Sequence, residues 1–441
     1  MKNELLRMVE KRQMGIHCGI PSFCSANKYV IETALEQAQR LDDFVVIEAT
    51  SNQVNQYGGY MGMRSVDFKN YVYKIADQIN FDRSKVILGG DHLGPLPWCD
   101  LPAAEAMEKA KVLVQECVAA GYLKVHLDTS MRLGDDDPSI RLPDETIAER
   151  GADLYCAAIE AYSELLKENP DAVRPVFVIG SEVPVPGGSK ETTNELEVTK
   201  AEDFENTLLA YKKAFQKRGI KDAWKDIIAI VVQPGVEFGE EDVHQYDRYA
   251  ARKLCSMLKQ YPDIVFEGHS TDYQPYEKLR EMVEDGIAII KVGPALTYAV
   301  REALFALSMM EEELVPQERR SNFRLVLENA MLQDDKDWKK YYKGTELEKH
   351  LLREYSFSDR SRYYFARREV EQAINTLFAN LDEARIPVYM LHQYMPLQYM
   401  HVRDKKVPCV AKELVKDAVR FIVENYNYAV KVNYMMETVN L

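Results

Sequence analysis

Over the first two thirds of the chain, short runs rich in β-branched residues alternate with longer stretches whose apolar residues recur every three or four positions. The short runs are Ile16–Cys24, Phe44–Thr50, Val86–His92, Leu123–Asp128, Val176–Glu182, Ile227–Gln233, Ile264–His269 and Ile287–Gly293. Their length and composition predict strands, and the stretches Tyr29–Arg40, Ala103–Ala120, Thr146–Leu166 and Ala201–Arg218 predict the helices between them. Strict alternation of strand and helix predicts a parallel sheet. Eight such units predict its closure into a (β/α)8 TIM barrel rather than a doubly wound open sheet, for which no GxGxxG follows the first strand.

After about Arg301 the pattern changes to long helical periodicity, with many Tyr, Arg and Glu and one short apolar run, Ile386–Leu391. The expected division is therefore a barrel over residues 1–305 that carries the functional site, and a mainly helical C-terminal extension over 306–441. Two aromatic segments of the extension, Trp338–Tyr342 and Arg362–Phe365, suit either packing on the barrel or a subunit interface, including one between copies of the chain. A length of 441 residues fits one large barrel with additions.

Composition narrows the function. A net charge of −14 argues against a nucleic-acid or membrane-surface binder, each of which needs a basic face. It leaves room for an anionic small molecule, because a few local donors can hold a phosphate against a negative background. The seven cysteines are scattered, with no CxxC pair, which predicts neither a disulfide framework nor a cysteine-rich zinc site. The N-terminal residues lack the apolar core of a signal peptide and no apolar run approaches a membrane span, so a cytoplasmic location is expected.

The chemistry is carried by the strand ends. The second run ends in Glu48 and leads into Asn52 and Gln56; the third ends in Asp91-His92, the fourth in His126-Leu127-Asp128, and the fifth in Glu182. The sixth ends in Gln233, the seventh in Glu267-Gly268-His269-Ser270 with Asp272 beyond, and the eighth in Lys291. Burying such groups singly in a barrel would cost several kcal/mol each. A shared, partly wet C-terminal mouth removes most of that cost, and it is where barrels of this kind keep their chemistry. Period two puts Glu267 with His269, and His126 with Asp128, on one strand face, whereas Asp91 and His92 are adjacent and need a local twist to converge. Three of the eight histidines at strand ends among carboxylates point to a divalent metal, with zinc, manganese, nickel and magnesium all open. The glycines of Pro186-Gly187-Gly188-Ser189 and of Gly293-Pro294, which opens the helix after the eighth strand, suggest anion sites, with Ser270, Thr271 and Lys291 as further donors.

Several of these stretches also resemble a known family. Ile47–Gln56, Gly89–Pro95, Ser181–Gly188, Val231–Phe238, His269–Gln274 and Lys291–Thr297 are similar to the Z-type subunit family of tagatose-1,6-bisphosphate aldolase, and the likeness runs from about Gly15 to Tyr394. The resemblance implies a class II aldolase-like barrel acting on, or supporting, the C3–C4 aldol chemistry of ketose phosphates. It implies either a partner that supports a smaller Y-type, zinc-dependent class II aldolase subunit, or a stand-alone metal-dependent 4-epimerase of ketose phosphates. On this reading Asp91, Glu182 and Asp128 handle protons, and His92, Glu267 and His269 hold the metal. The substrate is met by Glu48, Asn52, Gln56, Gly188, Gln233, Ser270, Asp272 and Lys291. Class II aldolases use three histidines on zinc; Asp91-His92 matches their pattern, while Gln233 and Glu267 are expected to stand in for the other two histidines.

Overall fold

A computed structural model describes residues 2–181 and 196–431. Eight parallel strands close into a barrel: β1 (Ile20–Cys24), β2 (Val45–Thr50), β3 (Val86–Leu93), β4 (Lys124–Leu127), β5 (Val176–Ile179), β6 (Ile227–Val232), β7 (Val265–Gly268) and β8 (Ile287–Val292). Each expected run contributes one strand, and β8 pairs with β1 to complete the ring. The first run is the most trimmed, because the chain turns at Gly15 (φ 81°) and Ile16 is left exposed before β1 begins.

One helix follows each strand: α2 (Lys28–Arg40), α3 (Ser65–Gln78), α4 (Ala103–Ala119), α5 (Asp144–Glu168), α6 (Ala201–Lys217), α7 (Arg248–Ser256), α8 (Tyr276–Glu284) and α9 (Pro294–Leu314). Between β6 and α7 lies a two-stranded ribbon pairing Glu237–Phe238 with Val243–His244, too short to leave a periodic signal in the sequence. Before the barrel comes α1 (Glu4–Gln13), which closes its N-terminal end. Its cap residue Asn3 accepts from Leu5 N and donates through Nδ2 to the carbonyls of Leu123 (2.9 Å) and Arg174 (3.2 Å), just ahead of β4 and β5. Leu5, Met8 and Val9 of α1 are buried against the strand residues Val46, Ile87, Val176, Val231, Val265 and Ile289, an apolar floor inside the barrel.

The extension comprises α10 (Phe323–Gln333), α11 (Glu346–Tyr355), α12 (Arg368–Ala384), α13 (Val388–Tyr394), α14 (Pro396–Arg403) and α15 (Ala411–Val430). The apolar run Ile386–Leu391 leads into α13. Leu414, Val415, Val419, Val423 and Tyr426 form the apolar stripe of α15, which packs on α2, α8, α9 and β1 and so joins the outer ring of barrel helices. Tyr426 Oη donates to Thr271 O (2.7 Å), tying α15 to the chain just beyond β7. One apolar core spans the outer barrel helices and the extension, and Trp338, Tyr342 and Tyr364 are buried within it. Among the described residues, no helix is long and apolar enough to cross a membrane.

Candidate active site

Counting by twos up the strands from the apolar floor builds the site in layers. Val46 leads to Glu48, Ile87 to Gly89 and Asp91, Lys124 to His126, Val265 to Glu267 and His269, and Ile289 to Lys291. In the lower polar layer the strand register places Cys24, Glu48, Gly89 and Lys124 side by side across β1 to β4. Gly89 leaves the gap that lets its neighbours meet, since a Cβ there would come within 2.4 Å of Glu48 Oε1. Lys124 Nζ donates to Glu48 Oε1 (2.7 Å) and lies 2.7 Å from Glu267 Oε2, an ion pair without hydrogen-bond alignment. Lys291 Nζ donates to Glu48 Oε2 (2.6 Å) and also pairs with Asp91. Burial alone would neutralise these groups. The mutual attraction outweighs it, holding both lysines above and both glutamates below their ordinary pKa ranges.

The upper layer solves the problem of two adjacent residues facing one way. Gly90 pairs with Val125 and Leu93 with Leu127, so Asp91 and His92 together oppose the single residue His126. This is a β-bulge, with His92 in the left-handed region (φ 47°), and it turns both side chains into the mouth. His92 Nδ1 bonds Asp128 Oδ2 (2.7 Å), which leaves Nε2 of that ring for the site. His269 Nε2 bonds Glu267 Oε1 (2.8 Å), which leaves its Nδ1. The His92, His126 and His269 rings lie 4.8–5.0 Å apart, centroid to centroid, in edge-on contact. Asp91 completes the group: Oδ1 is 3.1 Å from His126 Nδ1, and Oδ2 accepts from Cys24 Sγ at 3.3 Å. Donor atoms of Asp91, His92, His126 and His269 all fall within 4.8 Å of one another.

The group suits a divalent cation on two counts. His126 Nε2 is buried and has no hydrogen-bond partner, the kind of orphaned donor atom a ligated imidazole leaves when the ion is taken away. Four buried carboxylates (Glu48, Asp91, Asp128, Glu267) face two lysines, so neutral imidazoles leave two negative charges uncompensated. The electrostatics carry the same demand. Burial opposes charge on His92, yet Asp91 and Asp128 outweigh it and raise the pKa. Burial, aided by Lys291, pushes His269 down to about 3, so that ring stays neutral and free to ligate.

Above these groups is a cavity of about 310 Å³, lined by Asp91, His92, His269, Ser270, Asp272 and Lys291 of the barrel, by Cys24, Gln53 and Tyr60, and by Arg362, Tyr363 and Phe365 of the extension. Of the residues expected at the site, the structure thus brings Asp91, His92, His269, Ser270, Asp272 and Lys291 to the cavity. Glu48 and Glu267 lie beneath it, Glu267 bracing His269 outside the converging donor group, and Asp128 stands behind His92. Asn52 and Gln56 do not line the cavity: Gln56 Nε2 turns away to Lys109 O (2.9 Å), and Gln53 takes their place. Gln233 folds back onto its own turn, its Oε1 accepting from Gly235 N (2.9 Å) and Val236 N (3.0 Å). Glu182 and Gly188 lie outside the described residues. At the expected phosphate position, Asp272 Oδ1 already accepts from Gly293 N (3.0 Å) and Ala295 N (2.8 Å) at the start of α9, and Lys291 is paired as above. Sequence reasoning passed over Lys124, although Lys124, His126 and Asp128 follow the same period of two, and it counted His126 among the strand-end histidines that point to a metal without placing it among the ligands.

A closed parallel barrel with a buried, interconnected cluster of histidines, carboxylates and lysines under a cavity at its C-terminal mouth defines the class: a (β/α)8-barrel protein equipped for chemistry on a small ligand. The chain belongs to the family described as D-tagatose-1,6-bisphosphate aldolase subunit GatZ/KbaZ-like, whose model matches residues 5–431. That membership puts it in carbohydrate metabolism, in an aldolase-related role as an enzyme or enzyme subunit. A solved structure titled a probable tagatose 6 phosphate kinase from Sinorhizobium meliloti 1021 is similar at 43% identity, covering 93% of this chain and 100% of that one, with a TM-score of 0.84. The YdjI aldolase from Escherichia coli K12 aligns at 12% identity over 87% of this chain and 100% of its own (TM-score 0.41). The fructose-bisphosphate aldolase from Campylobacter jejuni aligns at 14% over 93% and 96% (TM-score 0.43). Both likenesses are too slight to bear on the chemistry.

Proposed function

We propose that this chain itself makes and breaks the C3–C4 bond of a ketose phosphate, as the Z-type member of a tagatose-1,6-bisphosphate aldolase, with His92, His126 and His269 holding a metal and Asp91 beside them as the base. The observation that carries this reading is the completeness of the ionisable cluster beneath the cavity. Both buried lysines are matched by carboxylates, and with neutral imidazoles the carboxylates left over carry a divalent cation's worth of negative charge. A protein that only propped up a partner would have no physical use for a cluster so costly to bury. The names of the family and of the 43%-identical structure both specify a tagatose phosphate, and that substrate class is what we carry over. Transfer of a phosphoryl group would ask for a nucleotide site, whereas this cluster suits proton movement and charge stabilisation at carbon.

A bound divalent metal would supply Lewis-acid polarisation of the C2 carbonyl. The residues supply the rest. Asp91, whose carboxyl is kept ionised well below its ordinary range because His92 and Lys291 outweigh the effect of burial, takes the proton of the C4 hydroxyl as the C3–C4 bond opens. Lys291, cationic between Glu48 and Asp91, steadies the negative charge that develops beside it. Asp128 and Glu267 fix the orientation of His92 and His269. A second reading, stand-alone 4-epimerisation, is favoured by Asp272: it also lines the cavity, and burial pushes its carboxyl up to about 6, so a second proton carrier faces the substrate.

One experiment tests both. The purified chain is incubated alone, and then with a Y-type aldolase subunit, with tagatose 1,6-bisphosphate or fructose 6-phosphate, each with zinc, manganese, nickel, magnesium or a chelator. Product NMR reads triose phosphates for the first reading and a C4-inverted ketose for the second. Turnover only in the presence of the Y-type subunit, and undiminished by Asp91→Asn, would reject the claim that this chain does the chemistry.

A further inference from the structure

Three cations of described residues line the mouth cavity, and two of them are already matched. Lys291 is held between Glu48 and Asp91, and Lys28 bonds Glu371 Oε1 (2.9 Å). The third, Arg362, comes from the extension. Its Nη1 donates to the carbonyls of Ser358 and Asp359 and its Nη2 to Tyr363 Oη (3.0 Å). A guanidinium has five N–H donors, so Nε and one hydrogen of Nη2 keep no acceptor among the described residues. None of the described carboxylates is within ion-pair distance of it, although Asp272 and Asp359 feel its charge. The nearest in sequence, Asp359, is committed to Arg301 Nε (2.8 Å) and Thr297 Oγ1 (2.6 Å), one turn apart on α9.

The same contacts hold Arg362 still. Asp359 sits in the left-handed region (φ 41°), fixed by α9, the helix that begins directly after the strand bearing Lys291. Tyr273 Oη donates to Phe357 O (2.6 Å), and Tyr60 meets Tyr363 edge-on at 4.7 Å. Arg362 is therefore a pre-oriented, partly buried guanidinium with spare donors, lining the same cavity as Asp91, His92 and His269. Such a fork matches the oxygens of a phosphate monoester. The start of α9, the alternative anion site, is already occupied by the Asp272 carboxylate.

We infer that Arg362, carried by the C-terminal extension and clamped by the Arg301–Asp359 pair, is the group that binds the substrate's phosphate, so that the extension and not the barrel selects phosphorylated over free sugars. This rests on the sugar-phosphate reading above. The test is calorimetric binding of D-tagatose 6-phosphate, D-tagatose and inorganic phosphate to the intact zinc-loaded chain, to Arg362→Met and to Arg362→Lys. The expected result is that Arg362→Met loses about 10- to 100-fold in affinity for the phosphate ester, little for the free sugar, and its binding of inorganic phosphate. Arg362→Lys, which keeps the charge, should recover part of the loss, and an unchanged thermal midpoint in that variant shows that the fold is not what was measured. A wild-type preference for the ester that Arg362→Met retains overturns the inference alone, as does equal weakening of ester and free sugar. Wild-type protein that does not distinguish the ester from the free sugar overturns the sugar-phosphate reading as well.

Discussion

Lys124 has no exposed surface and stands between Glu48 and Glu267, two carboxylates that would otherwise repel each other inside the barrel. It does not line the cavity, so its role is separable from substrate contact. Lys124→Met keeps most of the apolar stem and should destabilise the fold by about 3–5 kcal/mol, the cost of leaving buried charge unpaired. Urea unfolding reads this, and a loss under 1 kcal/mol would mean that the glutamates are neutral. Glu237 offers a pH test. Burial pushes its carboxyl up from an ordinary 4.5 to about 7, so the folded protein keeps a proton that the unfolded chain has already lost. Stability should then fall as pH rises from about 4.5 to about 7 and level off above. Glu237→Gln, whose amide oxygen can still accept from Phe238 N, should remove that slope and be the more stable protein at pH 8, by on the order of 1–3 kcal/mol. Identical slopes in melts at pH 5 and pH 8 would discard the assignment. Placement at the mouth was legible in the sequence where strand period and charge coincided, as at His269 and Lys291. It was not legible where a side chain folds back locally, as Gln233 does, or where residues that share one cavity lie hundreds of positions apart, as Tyr60 and Arg362 do.

At the scale of elements, the eight strands could be read because each is a β-branched run bounded by polar residues, and the barrel follows from their count. The bulge at Asp91-His92 could be sensed only as a conflict, since two neighbouring residues cannot share a strand face unless the ladder slips. That slip depends on the backbone of His92, which predicts that His92→Gly keeps the bulge whereas His92→Val strains it, because a β-branched residue at φ 47° is a steric outlier. Both variants lose the imidazole, and Val buries the more apolar surface, so a lower unfolding midpoint for His92→Val would report the strained backbone, and equal or higher midpoints would place the strain elsewhere. The clamp between α9 and the extension is a second element-level device. Asp359→Ala leaves Arg301 buried without its partner and should loosen residues 356–364, exposing that stretch to limited proteolysis under conditions in which the rest of the chain resists. Cleavage unchanged from the wild type would show that the aromatic contacts suffice.

For the whole molecule, the division into a barrel over 1–305 and an extension over 306–441 is a question about independence. α15 covers β1, α2, α8 and α9, and Leu414, Val419 and Val423 belong to the same apolar core as the barrel helices. We therefore expect a fragment ending at residue 305 to be collapsed but without a cooperative melt in circular dichroism, and a sharp melt would establish the barrel as a unit in its own right. No periodicity in the sequence could foretell this, because an amphipathic helix does not name the face it will cover. The plug formed by α1 has a reach beyond the packing it provides. With Leu5, Met8 and Val9 stopping the lower end and a salt-bridged tier of Lys124, Glu48 and Glu267 above them, the described residues make the barrel a well that is closed at its base. On the proposed function, a substrate entering by the mouth would shut out the solvent through which protons arrive and depart. A proton lifted from a hydroxyl would then stay in the wall of the well until the same molecule, or its fragments, took it back. Such an enclosure would pass label between substrate positions faster than it exchanges label with bulk water.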